Sequence, residues 1–182
     1  MADDRSAEPV GAVETADDDD IDDLVATAAR LGERCLALDR RVATVESCTG
    51  GLVAHLITEI PGSSDWFVGG IVTYSNALKS DAVGVPAEVL ASHGAVSAQV
   101  AMAMATGGRE RTGADLAVAV TGIAGPDGGT PSKPVGLTYV AVADAVGVAV
   151  KRHVWSGDRS ANKRRSAGAA LSLLLERVEA SA

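Results

Sequence analysis

Residues 41–57 read Arg41-Val42-Ala43-Thr44-Val45-Glu46-Ser47-Cys48-Thr49-Gly50-Gly51-Leu52-Val53-Ala54-His55-Leu56-Ile57. The first part is a short apolar run typical of a strand, and the last part has the apolar spacing of a helix. Hydroxyl side chains and paired glycines stand between them, so the segment predicts a strand, a tight turn and a helix N-terminus. Backbone N–H groups at such a turn suit an anion or the oxyanion of an acyl-transfer reaction. The alternative is that the hydroxyls of this turn only cap the helix.

The same alternation of strands and helices continues along the chain. Helices are predicted over residues 21–39, 52–60, 76–84, 86–92, 98–111 and 160–179, and strands over 41–46, 66–74, 115–120, 136–143 and 146–155. The paired Gly69-Gly70 indicates a bulge or a close backbone approach, and the last two strands are expected to form an antiparallel hairpin. The pattern predicts an α/β fold, a three-layer α/β/α domain over residues 22–182 with a mixed, mostly parallel sheet.

Composition places the chain among globular proteins of one domain. It has 182 residues, of which 47% are hydrophobic and only 3% aromatic, so we expect a core of Ala, Val, Leu and Ile. No apolar run reaches the roughly 18 residues of a membrane span, and the acidic N-terminus is unlike a secretory signal. Cys35 and Cys48 form no disulfide framework and lack the spacing of a metal site. We therefore expect a cytoplasmic protein with reduced thiols and no membrane contact.

The net charge of −8 arises at one end of the chain. Residues 1–23 contain ten of the 24 acidic residues and one base, which gives −9 there and +1 for the remainder. Residues 1–21 are predicted to be a disordered, solvated acidic tail, with an interaction role as the alternative. The balanced remainder has no basic stripe with interleaved aromatic residues, which argues against binding to nucleic acid.

Three loops follow predicted strands, at the edge where open α/β sheets bind ligands. They are residues 46–51, 74–79 and 121–129, and the last is too rich in Gly and Pro to be helix or strand. Ser47 in the first loop is a candidate nucleophile. Lys79 in the second can act as its base if burial lowers the pKa of the amine.

Other residues of these loops have simpler interpretations. Tyr74 could be a strand-end aromatic residue with a solvated hydroxyl, and Thr121 a loop residue. Cys48 is an alternative nucleophile, although its side chain is expected to point away from that of Ser47. No histidine is placed for a Ser-His-Asp arrangement. All three histidines, His55, His93 and His153, are expected to be structural or surface residues.

Four motifs together resemble the CinA C-terminal domain family, the nicotinamide-nucleotide amidases. They are residues 46–51, 72–79, 121–129 and 133–136, which read ESCTGG, VTYSNALK, TGIAGPDGG and KPVG in the family's order and spacing. The resemblance extends over about residues 22–180 and implies the stand-alone form, without the additional N-terminal domain of larger CinA proteins. It implies hydrolysis of the carboxamide of nicotinamide mononucleotide to nicotinic acid mononucleotide and ammonia, in pyridine-nucleotide salvage.

The resemblance also implies roles for residues in these motifs. Ser47 would be the nucleophile and Lys79 the base, with Glu46, Tyr74 and Thr121 as supporting residues. On chemical grounds Tyr74 could relay a proton to the departing ammonia. Residues expected to bind the substrate or its phosphate are Thr49, Gly50, Gly51, Thr121, Gly122, Arg159, Lys163 and Arg164. Lys163 departs from the family, which usually has an arginine there, and a lysine keeps the charge but loses the bidentate fork.

No metal or cofactor is implied, the expected ligand is a small nucleotide, and a homo-oligomer is expected. Two other interpretations stay open. One is a non-catalytic nucleotide- or phosphate-binding module, and the other is a serine amidase or esterase of a different small substrate. The complete set of Ser47, Tyr74 and Lys79 argues against a degenerate relative, whereas only a panel of substrates separates the amidases.

Overall fold

A five-stranded mixed sheet with helices on both faces forms the centre of the protein, as seen in a computed structural model that describes residues 20–181. The helices are α1 (Ile21–Ala37), α2 (Leu52–Thr58), α3 (Asn76–Val83), α4 (Ala87–His93), α5 (Ala98–Thr112) and α6 (Arg159–Ala180). The strands are β1 (Val42–Glu46), β2 (Phe67–Val72), β3 (Leu116–Gly122), β4 (Leu137–Ala143) and β5 (Val148–Val154). Every predicted helix and strand forms, and each end lies within two residues of its predicted position.

The order of the strands across the sheet is β2-β1-β3-β4-β5. β1 pairs in parallel with β2 and β3, whereas β4 is antiparallel to both of its neighbours. Four strands therefore run in one direction and β4 alone runs in the other. The predicted three-layer α/β/α fold, the mixed sheet and the C-terminal hairpin are confirmed, although the strand pairs divide equally between parallel and antiparallel.

The sheet is buried on both faces because successive residues of its central strand are apolar. On one side Val118 and Val120 of β3 pack in a core with α1, α2 and α6. On the other side Ala119 packs in a second core with α3 and α5. The continuous apolar run of β3 thus serves two cores, as expected for a parallel strand covered by helices on both faces.

The three parallel strands end at the same edge of the sheet. Glu46, the last residue of β1, lies opposite Val72 at the end of β2 and opposite Val120 in β3. The chain leaves this edge in three neighbouring loops, which is the place where sheets of this kind bind ligands.

Two details concern predicted features of the strands. β3 continues through Thr121 and Gly122, which were predicted to be loop, because the ladder with β4 extends to the pairs Thr121–Tyr139 and Gly122–Thr138. The register between β1 and β2 shifts just before Gly69-Gly70, because Val42 pairs with Phe67 and Ala43 with Gly69, whereas Gly70 pairs regularly with Thr44. The close approach predicted as the alternative is present at Gly70, where a Cβ atom would lie 2.6 Å from Thr44 Oγ1 and 3.0 Å from the Ala54 Cβ of α2.

Of the predicted tail, residues 1–21, the structure describes only the last two residues, Asp20 and Ile21. Asp20 is the N-cap of α1 and its carboxylate accepts from the Asp22 amide at 3.2 Å, while Ile21 is the first residue of the helix. None of the helices between residues 20 and 181 is long and apolar enough to cross a membrane.

Candidate active site

Ser47 is the first residue after β1, and its backbone is fixed by the sheet. Its amide donates to the Val120 carbonyl at 2.9 Å, which continues the ladder between β1 and β3 by one bond. The next residues turn sharply into α2, with Gly50 at φ 65° and Gly51 at φ 100°. Glycine is favoured at both positions because other residues are strained at such angles. Ser47 is therefore held on a rigid strand end, with its side chain facing a cavity.

Glu46 turns away from that cavity and caps α2. Its buried carboxylate accepts from the amides of Gly51 at 3.0 Å, Val53 at 3.1 Å and Ala54 at 2.9 Å. These are helix N-terminal donors that otherwise lack partners within the helix. The amides that the sequence offered to an anion are therefore occupied by a side chain of the same motif.

Lys79 reaches Ser47 from α3. The side chain is 1% exposed, and its Nζ lies 3.0 Å from Ser47 Oγ and 2.7 Å from the Thr73 carbonyl. Within residues 20–181 no carboxylate lies at ion-pair distance from the amine. Burial lowers the pKa of Lys79 below its ordinary value because desolvation disfavours the charged form. A serine hydroxyl thus lies at hydrogen-bond distance from an amine whose pKa is lowered by burial.

The rim of the cavity is formed by Tyr74 and Arg159. Tyr74 is 63% exposed, and its hydroxyl accepts from an Arg159 guanidinium N–H at 3.2 Å. A second N–H of Arg159 donates to the Gly125 carbonyl at 2.8 Å. Arg159 therefore links the loop after β2 to the loop after β3 across the entrance.

Thr121 and Gly122 form one wall of the cavity. The hydroxyl of Thr121 is buried and donates to the Ala95 carbonyl at 2.8 Å, which fixes the segment before α5 against β3. A Cβ atom on Gly122 would lie 2.7 Å from the Leu137 carbonyl and 3.1 Å from Cys48 Sγ. This close packing explains why a glycine occupies the position.

The remaining predicted substrate-binding residues lie outside the cavity wall. Thr49 is buried, and within the described chain its hydroxyl has no hydrogen-bond partner. Lys163 Nζ lies near the turn, 3.8 Å from where a Cβ atom on Gly50 would be. Five of the predicted substrate-binding residues are therefore absent from the cavity wall, as far as the structure describes it: Thr49, Gly50, Gly51, Lys163 and Arg164.

Cys48 lines the cavity beside Ser47 but is a poor nucleophile. Burial raises the pKa of its thiol to about 12, so the reactive thiolate is scarce at neutral pH. The histidines lie elsewhere, in agreement with their predicted structural or surface roles. His55 is exposed beside Glu59, His93 is exposed at the end of α4, and His153 stacks on Trp155 with ring centres 4.6 Å apart.

The cavity has a volume of about 270 Å³. It is lined by Ser47, Cys48, Tyr74, Asn76, Lys79, Ala95, Val96, Thr121, Gly122, Ile123, Ala124, Gly125, Asp127, Gly128 and Arg159. The sequence assigned no role to Asn76 or Asp127, although both belong to the quoted motifs. A larger groove of about 640 Å³ between α1, β5 and α6 contains none of the predicted site residues. Within residues 20–181 no group of His, Cys, Asp and Glu side chains is arranged to hold a metal ion.

A serine lies beside a buried lysine at the carboxyl edge of the sheet in a three-layer α/β/α domain, which makes the two a candidate nucleophile and base. The match to known proteins is specific. Residues 25–178 match the CinA C-terminal domain, and the chain belongs to that family. The predicted resemblance is therefore confirmed.

Relatives of two lengths match the chain. A nicotinamide-nucleotide amidohydrolase, PncC, from Pseudomonas putida is 47% identical over 156 residues, which are 86% of this chain and 98% of that protein. A CinA-like protein from Geobacter sulfurreducens is 50% identical over 161 residues, which are 88% of this chain but 38% of that protein. The chain thus spans nearly all of one relative and little more than a third of the other.

Solved structures of the same superfamily have the same fold. A competence/damage inducible protein from Agrobacterium tumefaciens has a TM-score of 0.83 at 39% identity, covering 92% of this chain and 98% of that one. A CinA superfamily protein from Klebsiella pneumoniae has a TM-score of 0.83 at 31% identity, covering 86% of this chain and 98% of that one.

Proposed function

We propose that the protein is a nicotinamide-nucleotide amidase of pyridine-nucleotide salvage. It hydrolyses the carboxamide of nicotinamide mononucleotide and releases nicotinic acid mononucleotide and ammonia. The observation that carries the proposal is the 3.0 Å contact between Ser47 Oγ and Lys79 Nζ in the cavity. The name of the Pseudomonas putida relative, which is covered almost completely, supports the choice of substrate.

The first chemical step is attack by Ser47 on the carboxamide carbon. The neutral amine of Lys79 takes the hydroxyl proton as the bond from Ser47 Oγ to carbon forms. The Thr73 carbonyl accepts one N–H of the amine at 2.7 Å, which orients its lone pair for this transfer. The protonated amine then returns a proton to the departing nitrogen, directly or through Tyr74, and ammonia leaves. Water hydrolyses the resulting acyl-enzyme by the same sequence, with Lys79 again as base.

The oxyanion needs donors that are already in place. Because Glu46 occupies the amides of Gly51, Val53 and Ala54, these are unsuitable. We assign the role instead to backbone amides on the cavity wall, that of Cys48 next to the nucleophile and those of Ala124, Gly125, Asp127 and Gly128 in the loop after β3.

The substrate phosphate requires a cation, and the predicted cations contribute unequally. Arg159 lines the cavity, so we assign the main phosphate contact to it. Lys163 lies behind the turn at Gly50 and has an auxiliary role. A guanidinium suits a phosphate because it can donate two parallel hydrogen bonds.

Ammonia release from nicotinamide mononucleotide tests the proposal. The wild-type protein should release ammonia, and Ser47→Ala should lower the rate by a factor on the order of a thousand or more without unfolding the protein. Cys48→Ala is the matched control and should retain activity. Binding without turnover in the wild type would indicate a non-catalytic module, and turnover only of other carboxamides would indicate a different amidase.

A further inference from the structure

Asp127 is the one carboxylate among the residues that line the cavity, within the part of the chain that the structure describes. The neighbouring acids are used elsewhere. Glu46 caps α2, and Asp158 caps α6 by accepting from the Ala161 amide at 2.8 Å. Asp127 itself forms no hydrogen bond or ion pair with any residue between 20 and 181. Asp127 is exposed to solvent at the border of the cavity, so its negative charge is available to a ligand there.

The loop that carries Asp127 is tied to the body on both sides. The Ile123 amide donates to the Leu137 carbonyl at 2.8 Å, and its carbonyl accepts from the Gly136 amide at 2.7 Å. Asn162 donates to the Ala124 carbonyl at 3.1 Å, and Arg159 donates to the Gly125 carbonyl at 2.8 Å. A carboxylate on a loop held in this way is positioned before a ligand arrives, which reduces the cost of binding.

The proposed substrate carries a positive charge, and Asp127 is the one carboxylate on the described cavity wall that can pair with it. Its pyridinium nitrogen is positive and has no N–H, so a hydrogen-bond acceptor alone cannot recognise it. The carboxamide is attached to the same ring, so placing its carbon at Ser47 Oγ brings the ring inside the cavity with Asp127. The basic residues of the cavity wall, Arg159 and Lys79, do not attract a cation, and the neutral Tyr74 ring offers it only a weaker cation–π contact.

We propose, resting on the function proposed above, that Asp127 recognises the positive charge of the substrate ring. The site then selects N1-substituted pyridinium carboxamides over neutral carboxamides of the same shape. The ring charge is present before and during attack by Ser47, so the contact stabilises the bound substrate and the transition state alike. Loss of the carboxylate should raise KM and leave kcat nearly unchanged.

Binding measurements on a Ser47→Ala background test this without turnover. The ligands are nicotinamide mononucleotide and its reduced form, which has the same ribose, phosphate and carboxamide but an uncharged ring. The oxidised form should bind about threefold more tightly, which is the size expected of one solvent-exposed ion pair. Adding Asp127→Asn should bring the two Kd values together, whereas Asp127→Glu should keep part of the difference. Asp81→Asn removes an exposed charge from α3 and should change nothing.

An unchanged ratio of Kd values in Asp127→Asn would overturn the assignment, and it can arise in two ways. If neither Kd changes, Asp127 does not contact the ligand. If both Kd values rise by the same factor, Asp127 contacts a group that the two ligands share, such as the ribose hydroxyls. Either result, together with hydrolysis of nicotinamide mononucleotide by the wild-type protein, refutes the role of Asp127 alone. Absence of hydrolysis by the wild type refutes the proposed function instead.

Discussion

The Lys79→Met substitution separates the chemistry of the site from the stability of the fold. Methionine fills a space similar to that of the lysine stem but has no amine. The variant loses the contacts with Ser47 Oγ at 3.0 Å and with the Thr73 carbonyl at 2.7 Å. Without a base Ser47 keeps its proton at neutral pH, so we expect amide hydrolysis to fall by a factor on the order of a thousand.

The stability should change little, because two effects of the substitution oppose each other. The Thr73 carbonyl loses its donor, which costs about 1–3 kcal/mol for a buried acceptor. In the other direction, a lysine with a lowered pKa binds its proton less readily in the folded than in the unfolded state, which destabilises the fold. Methionine removes that penalty, so the net change should be within about 2 kcal/mol, or roughly 6 °C in Tm.

The pH dependence follows from the same shift. Between the lowered pKa of Lys79 and its ordinary value of 10.5 the unfolded state binds more protons than the folded state. The free energy of unfolding of the wild type should therefore rise with pH through that range, and Lys79→Met should lack this contribution. In the wild type kcat/KM should also rise as the amine loses its proton, below the pH expected for an ordinary lysine.

Ammonia release and thermal unfolding, each followed from neutral to alkaline pH, provide the measurements. Lys151→Met is the control, because Lys151 is an exposed lysine on β5 that pairs with Glu176 at 2.7 Å, far from the cavity. It should leave turnover and its pH profile unchanged. A folded Lys79→Met protein with nearly wild-type turnover would refute the reasoning. Loss of activity in His55→Ala or His93→Ala would then assign the base to a histidine.

Four further predictions concern other site residues and the N-terminal segment. Glu46→Gln replaces a carboxylate that accepts from three amides with a group that has one acceptor oxygen, and should lower stability by about 2 kcal/mol. Thermal unfolding beside Glu59→Gln, an exposed control, measures this loss. Arg159→Ala should raise KM more than it lowers kcat, and the dephosphorylated riboside should be insensitive to it, whereas Lys163→Arg should strengthen nucleotide binding. Deleting residues 1–19 should leave turnover and Tm nearly unchanged, because the Asp20 cap of α1 is retained.

The fold could be predicted because each element has its own pattern in the sequence. The apolar run within residues 115–120 indicated a strand, and in the structure its side chains divide between two cores. Residues 41–57 indicated a strand, a turn and a helix, and the positive φ angles of Gly50 and Gly51 explain why the turn needs both glycines. The end of β3 at Gly122 could not be predicted from the sequence, because it depends on how far the neighbouring strand β4 extends.

Within the site, the sequence identified residue types but not their partners. Ser47 and Lys79 are 32 positions apart, and their contact depends on the packing of α3 against the edge of the sheet. Nothing in the spacing shows that Glu46 turns back onto α2 or that Lys163 lies outside the cavity wall. Asp127 was quoted within a motif, yet its place in the cavity follows only from the folded loop.

The position of Glu46 bears on the ability of Lys79 to act as a base. A carboxylate close to the amine would favour its charged form and raise its pKa. Glu46 adjoins Ser47 in sequence, but its oxygens are used by the N-terminal amides of α2. Lys79 is left with two neutral partners, Ser47 Oγ and the Thr73 carbonyl, so burial can lower its pKa. The turn at Gly50 and Gly51 thus contributes to the chemistry as well as to the fold, because it brings α2 to Glu46 and keeps that negative charge away from the base.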